Sequence, residues 1–232
     1  MNRIRRIIPK KIREKISQIL VNYFDGYSTK SYSQEGEDMI LRRIFNDKIG
    51  GFYVDIGAHH PKRFSNTYYF YRKGWRGINI DAMPGSMKLF KKCRKKDTNI
   101  EAAISDTEEK LIYYAFEDPA LNGFSKELSQ EYEKNYKLIF KKEIKTKKLS
   151  DIFDKFLPTG QKIDFLSIDV ESLELNVLRS NNWDKYIPEF ILVEMLDNGI
   201  KLIFENEIYK LLKSKGFCFF AKTVNTVIFK KK

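Results

Sequence analysis

Short apolar runs alternate with amphipathic stretches from about residue 36 to the end of the chain. Apolar runs of this length are typical of buried strands, and apolar positions three or four residues apart are typical of helices packed on a sheet. The pattern predicts strands at 52–57, 77–81, 98–104, 110–116, 163–169, 189–195, 217–222 and 226–230. It predicts helices at 36–45, 66–73, 84–95, 125–140, 172–180 and 201–214.

This alternation predicts an α/β fold with a doubly wound, mostly parallel sheet. Only a few residues around Val224 and Asn225 separate the last two predicted strands. We therefore expect an antiparallel hairpin at the C-terminal edge of the sheet. The basic run from Lys141 to Lys148 is interpreted as a solvated connection.

The first 24 residues form a basic block, an extension ahead of a domain at 25–232. Isoleucines at 4, 8, 12, 16 and 19 recur at helical spacing, and Pro9 predicts that the firmer helix follows it. One interpretation is a helix that packs its isoleucine stripe on the domain. We favour it because no Trp or Phe precedes Phe24. The alternative is peripheral contact with an anionic membrane surface.

Composition narrows the class of protein. The chain has 232 residues and 42% hydrophobic content, enough for one full core. Its formal net charge of +12 indicates an acidic partner, or simply a solvated lysine-rich surface. Two distant cysteines, no apolar stretch long enough to span a bilayer and no signal-peptide core predict a cytoplasmic protein, possibly peripheral at the inner membrane face.

Two apolar runs carry a carboxylate at the C-terminal end, Asp55 in the first and Asp81 in the second. In open α/β sheets these ends face the ligand crevice, and the spacing places Asp81 where nucleotide-binding folds hold a ribose. An N-cap for the following helix is the alternative for Asp81. The turn after the first run has one glycine where dinucleotide-binding domains need three, which disfavours a hydride-transfer enzyme. The pattern suits the class I methyltransferase sheet.

Six segments in succession resemble the FkbM-type methyltransferases. They are Ser33–Asp38, Val54–Pro61, Phe64–Thr67, Gly74–Asp81, Ala102–Ser105 and Ile163–Glu171. The resemblance implies methyl transfer from S-adenosylmethionine, usually to a hydroxyl of a sugar or a polyketide-like product. It suggests a glycan precursor, nucleotide-linked or part of a surface polysaccharide, as the acceptor.

The predicted cofactor-binding residues lie in the matched segments and at the strand ends. Gln34, Glu35 and Asp38 would fold over the methionine end of the cofactor, although an acid-rich helix start explains them nearly as well. The adenine is expected at the small residues from Ala102 to Ile104. The full set is Gln34, Glu35, Asp38, Asp55, Gly57, Ala58, Asp81, Ala82, Ala103, Ile104 and Asp169.

A hydroxyl acceptor must lose its proton as it attacks the methyl carbon, so a general base is expected in the cleft. The candidates are His60, Asp169, Glu171 and Glu194. The three acids are also hard oxygen ligands, so a divalent metal is possible but not favoured. Ser172 stands where the family pattern has glycine. We favour a helix N-cap, and the alternative is a strained residue at a position that needs positive φ. Residues 120–125 are expected to form part of an acceptor-side lid, or only a turn.

Two other functions stay open. A nucleic-acid methyltransferase is disfavoured, because the fourth-strand segment Asp169–Ser172 lacks the N/D-P-P-Y/F motif of many base methylases. A methyltransferase-like scaffold docked on a membrane through residues 1–24 is the non-enzymatic alternative. The favoured acceptor is a small molecule or glycan, possibly phosphorylated, and the sequence leaves the oligomeric state open.

Overall fold

The computed structural model of the chain describes residues 9–24, 26–46, 48–196 and 199–232. Contacts divide the chain into two compact units, Met1–Ser31 and Tyr32–Lys232. In the first unit, helix α1 (Lys10–Tyr23) begins directly after Pro9, as predicted, and none of its residues is buried. The packing of its isoleucine stripe on the domain stays a prediction. The predicted stripe positions 4 and 8 lie outside the described residues.

The second unit contains the other elements. Its helices are α2 (Glu37–Ile44), α3 (Tyr68–Arg72), α4 (Met87–Cys93), α5 (Lys126–Tyr132), α6 (Leu149–Phe156), α7 (Glu174–Arg179), α8 (Ile200–Glu205) and α9 (Glu207–Ser214). Its strands are β1 (Phe52–Ile56), β2 (Arg76–Asp81), β3 (Thr98–Glu101), β4 (Ala103–Ile104), β5 (Lys110–Phe116), β6 (Leu138–Lys147), β7 (Phe165–Ile168), β8 (Phe190–Glu194), β9 (Phe217–Lys222) and β10 (Thr226–Lys231).

Seven strands form the main sheet in the order β3-β2-β1-β7-β8-β10-β9. The pairings from β3 to β8 are parallel, whereas β10 is antiparallel to both β8 and β9. The predicted α/β class, parallel sheet and antiparallel C-terminal hairpin are confirmed. Strand order reverses between β1 and β7, and ligands of such sheets bind at that point.

Helices cover both faces of this sheet, because side chains of each strand alternate between two apolar clusters. Val54 and Ile56 pack in the cluster that contains residues of α6, α7 and α9. Tyr53 packs in the cluster that contains Leu41 of α2 and Phe70 of α3. The core thus holds the strands rigidly, and their carboxyl ends emerge at one edge.

Residues 125–147 differ most from the prediction. The predicted helix at 125–140 ends at Tyr132, and the basic run expected to be a connection is the second half of β6. β6 pairs with β5 along most of its length and with β4 at its end, forming a separate three-stranded sheet. The partners of β6 lie 22 to 43 residues away along the chain, so local periodicity does not reveal this strand.

Two further elements depart from the prediction for identifiable local reasons. The predicted helix at 201–214 is broken at Asn206, whose side chain accepts a hydrogen bond from the Ile208 N–H at 2.8 Å and caps α9. The predicted strand at 98–104 is divided at Ala102 between the two sheets. Helix α6 was not predicted, although buried Leu149, Ile152 and Phe153 show its helical spacing.

A fully buried arginine ties β1 and β2 to the segment that follows β1. The Arg94 guanidinium donates to Asp97 at 2.9 Å, to the Tyr53 hydroxyl at 2.7 Å and to the Pro61 carbonyl at 3.1 Å. It also donates to Thr67 Oγ1 at 3.1 Å. Because buried charges are costly unless paired, this network fixes the positions of all its members together.

We expect Arg94→Met to lower the free energy of unfolding by about 3–5 kcal/mol, because it leaves the buried Asp97 carboxylate without its cation. The matched control is Lys92→Met, which replaces an exposed cation of α4 by the same residue two positions before Arg94 and should change stability by less than about 0.5 kcal/mol. Urea unfolding of the three proteins measures both values. Equal, small losses in the two variants would show that the network does not hold the strands.

Candidate active site

A cleft opens at the carboxyl ends of β1, β2, β7 and β8. Its empty volume is about 1060 Å³ when the space open to solvent is included. Most of the predicted site residues line it. They are Gln34, Gly57, Asp81, Ala82, Ala103, Ile104, Asp169, Glu171 and Glu194.

Gly57 marks the closest approach of β1 to β7 at the floor of the cleft. Its φ is +81°, and a Cβ at this position would lie 1.5 Å from the Asp169 carbonyl oxygen. Beside this point, the Asp169 N–H donates a hydrogen bond to the Ile56 carbonyl at 3.0 Å. Only glycine fits here, so this turn brings Asp169 to the centre of the cleft.

Asp81 is fixed by two backbone donors. Its carboxylate accepts from the His59 N–H and the Met83 N–H, each at 2.8 Å. It does not cap the following helix, because the N-cap of α4 is Ser86. Burial raises the pKa of Asp81. A carboxylate has about four acceptor positions, so Asp81 keeps about two for a ligand.

One wall of the cleft is small and apolar. Ala82, Ala103 and Ile104 line it, with the aromatic rings of Tyr113 and Phe124 nearby. These two rings meet edge to face, with centroids 5.0 Å apart. The wall thus offers flat space without charge.

The opposite side of the cleft concentrates carboxyl groups. Burial and the neighbouring Asp169 charge raise the pKa of Glu171 to about 7. Burial and the Glu171 charge raise the pKa of Glu194 to about 7. The Asp169 side chain reaches solvent through the cleft, while protein surrounds it on its other sides. This burial, together with the Glu194 charge, raises the pKa of Asp169 well above the usual range. A side-chain hydrogen bond joins Asp169 to Glu194.

A fourth acid, Glu174, lies beside this pair. Carboxylate oxygens of Asp169, Glu174 and Glu194 lie within 4.8 Å of one another, whereas the sequence suggested Glu171 as the third oxygen ligand. The Glu174 carboxylate already accepts from the Val170 N–H at 3.1 Å and the Ser172 N–H at 3.3 Å. Glu174 therefore holds the loop after β7 in place.

Five predicted site residues are not among the described residues that line this cleft: Glu35, Asp38, Asp55, Ala58 and His60. The Asp55 carboxylate instead accepts from Thr67 Oγ1 at 2.9 Å, and burial raises the pKa of Asp55 to about 6. Ala58 packs with α4. The structure therefore places these two as supports behind the cleft.

The segment before α2 is held by its own acids. Glu35 accepts from the Asn225 N–H and from Thr223 Oγ1, each at 2.7 Å, which fastens this segment to the turn between β9 and β10. Asp38 is fully buried and accepts from Ser33 Oγ at 2.9 Å. Only Gln34 of the predicted trio reaches the main cleft, whereas Glu35 lines a smaller adjoining pocket.

The sequence suggested His60 as the histidine of the cleft, but the structure places His59 there. His60 Nδ1 accepts from the Lys62 N–H at 3.1 Å and the Arg63 N–H at 2.9 Å, which fixes the loop outside the cleft. His59 lines the cleft instead. Burial lowers the pKa of His59, so its imidazole is neutral at pH 7.

The interpretation of Ser172 as an N-cap is wrong. The N-cap of α7 is Leu173, and Ser172 has φ +87° directly after Glu171 at +53°. Two successive left-handed residues with side chains are strained, and glycine would relieve the strain at position 172. This conformation turns Glu171 into the cleft, next to Gly123 of the loop at 119–124.

Comparison with known proteins identifies the family of this chain. The chain matches the methyltransferase FkbM domain over residues 55–219. It belongs to the FkbM methyltransferase family. A comparison with curated proteins found no match.

Two solved structures to which this chain is similar are methyltransferases. One is a TehB-like S-adenosylmethionine-dependent methyltransferase from Corynebacterium glutamicum, with 10% identity, TM-score 0.44 and coverage of 97% of this chain and 100% of that one. Another is 1,6-didemethyltoxoflavin-N1-methyltransferase from Burkholderia thailandensis with bound S-adenosylhomocysteine, with 10% identity, TM-score 0.44 and coverage of 97% and 91%.

The FkbM cleft fits S-adenosylmethionine, the cofactor that the family uses. It has an apolar wall for a flat base and a carboxylate with free acceptor positions beside that wall. The carboxyl groups opposite provide negative charge for a cationic sulfonium. Among the described residues, no Lys or Arg lines the cleft, so the net charge of +12 lies elsewhere.

Sequence reasoning missed Thr67, Arg94 and Glu174. Thr67 and Arg94 act through side-chain contacts across 12 to 41 residues, which no local pattern shows. Glu174 had a local signal, because it lies three residues after Glu171 at the start of a predicted helix. An acid there can accept from the loop N–H groups.

The raised pKa values predict that stability falls as pH rises. Glu194 binds its proton more tightly when folded, so its contribution is complete below its ordinary pKa of 4.5 and is lost as pH rises through about 7. Because water reaches Glu194 in the open cleft, we expect this loss to be about 1 kcal/mol. Urea unfolding between pH 4.5 and 8 should therefore show a flatter dependence for Glu194→Gln. Exposed Glu205→Gln is the control and should follow the wild type; a wild-type slope in Glu194→Gln would contradict the assignment.

Proposed function

We propose that this chain is an O-methyltransferase that methylates a hydroxyl of a sugar or glycan precursor. The observation that carries the proposal is the group of carboxyl groups at the ends of β7 and β8, opposite the apolar wall. Hydroxyl groups hydrogen-bond well to carboxylates, and a carboxylate with a pKa near 7 is matched to removing a proton at neutral pH. Family membership supplies the methyl donor, S-adenosylmethionine.

The cofactor would lie along the edge of the sheet from β2 to β1. Asp81 would accept hydrogen bonds from both ribose hydroxyls, with the adenine against Ala103 and Ile104. Gln34 would reach the methionine end from the other side of Gly57. Asp55 would act at a distance, by bracing this turn through Thr67 and Arg94.

Glu194 is the proposed general base. The hydrogen bond with Asp169 occupies one part of the Glu194 carboxyl group, so acceptor positions would remain for the proton of the substrate hydroxyl. Glu194 would take the proton of the hydroxyl group as its oxygen accepts the methyl group, and the cofactor sulfur would keep the electron pair of the broken bond. Glu171 would hold a second hydroxyl of the acceptor.

The charge of the cleft favours a neutral acceptor at the reacting end. Asp81, Asp169, Glu171 and Glu194 repel a phosphate placed beside them. If the acceptor is nucleotide-linked, its phosphates would therefore lie beyond this lining. The same repulsion works against a nucleic-acid backbone in the cleft.

The ribose assignment predicts that Asp81→Asn binds S-adenosylmethionine about 100-fold more weakly, because two charge-assisted hydrogen bonds become neutral ones, each weaker by about 1–1.5 kcal/mol. Calorimetry measures the affinity. Glu101→Gln is the matched control, because Glu101 lies beside Asp81 on β3 but outside the cleft lining, and it should bind normally. An unchanged affinity in a folded Asp81→Asn protein would remove the assignment.

The acceptor class is tested by mass spectrometry of methyl transfer to neutral sugars, sugar phosphates and RNA. We expect products methylated on oxygen, with neutral hydroxyl groups preferred. Glu194→Gln should lower kcat about 10²–10⁴-fold and remove the rise in kcat with pH near 7, while cofactor affinity changes little. Glu205→Gln again serves as control. Methylation on nitrogen or carbon, or a preference for RNA, would overturn the proposal.

A further inference from the structure

Helix α1 presents an apolar stripe that the structure leaves exposed. At about 100° per residue, its large apolar side chains fall within an arc of about 100°. They are Ile12, Ile16, Ile19, Leu20 and Tyr23, which are 51%, 45%, 44%, 50% and 79% exposed. A stripe of this width is what a helix buries against a partner.

Basic side chains border the stripe on both sides. Arg13 follows Leu20 around the helix, and Lys15 precedes Ile19 on the other edge. Lys10 and Glu14 form an ion pair at 3.8 Å on the face opposite the stripe. Residues 1–24 contain seven Lys or Arg and one Glu, and therefore carry half of the net charge of +12.

We propose that α1 binds the surface of an anionic membrane, with its stripe at the boundary between headgroups and acyl chains. The long side chains of Arg13 and Lys15 reach from the edges of the stripe toward lipid phosphates. The helix lies on the bilayer and does not cross it. No helix in the described part of the chain is long and apolar enough to cross. This interaction is independent of the methyl-transfer chemistry.

The charges that border the stripe favour lipid over a second copy of the chain. Residues 12, 16, 19 and 23 have the spacing of a coiled-coil seam, so a second α1 is the competing partner. Pairing of two such helices needs opposite charges along the seam, and here both edges are basic. Glu14 points away, toward Lys10.

Flotation of the full-length protein with vesicles tests the proposal. We expect binding to phosphatidylcholine vesicles that contain about one third phosphatidylglycerol, little binding to phosphatidylcholine alone, and weaker binding at high salt. Arg13→Gln/Lys15→Gln should weaken binding roughly 30-fold. Ile12→Ser/Ile16→Ser keeps the charge and should weaken it at least about tenfold.

Lys91→Gln/Lys92→Gln is the matched control, because it removes the same charge from exposed positions of α4. It should reduce binding less than about threefold. Binding of S-adenosylmethionine, measured by calorimetry, should be the same in all variants and keeps this test separate from that of the methyltransferase activity. Equal loss in the α4 variant, full binding by the isoleucine variant, or a dimer that depends on α1 without vesicle binding would overturn the proposal.

Discussion

The buried guanidinium of Arg94 is the interaction on which the geometry of the cleft depends. It joins the side chains of β1 and β2 to the loop between them, and through Thr67 it reaches Asp55. The strand ends are therefore fixed relative to each other before any ligand arrives. A cation sealed in the interior tolerates few rearrangements, since every movement would leave a charge unpaired. The cleft is rigid because the strand ends that form it are fixed.

Positive and negative charges concentrate in different parts of this protein. The surface carries the excess of lysine and arginine, whereas the lining of the cleft is acidic. The excess of positive charge predicted an acidic partner, and that partner need not be the substrate. On α1 the same excess borders an exposed apolar stripe, which suits a lipid surface. One sequence thus combines a basic exterior with a chemically distinct interior site.

The parallel sheet and its antiparallel edge followed from periodicity, and the strand-end acids followed from the sheet. Contacts that join distant segments did not, since Arg94, Thr67 and β6 find their partners far along the chain. The choice between His59 and His60 depends on a left-handed turn at φ +48°, which residue type alone does not reveal. Ser172 shows the same limit, because a serine is a reasonable N-cap until its backbone angle is known.

The acidic lining has a consequence for turnover. Methyl transfer discharges the sulfonium, so the spent cofactor is neutral at sulfur. In the proposed reaction, the attraction between the carboxylates and the donor would disappear in the same step that forms the product. The spent cofactor would then be held by shape and hydrogen bonds alone, which would favour its exchange for a new donor.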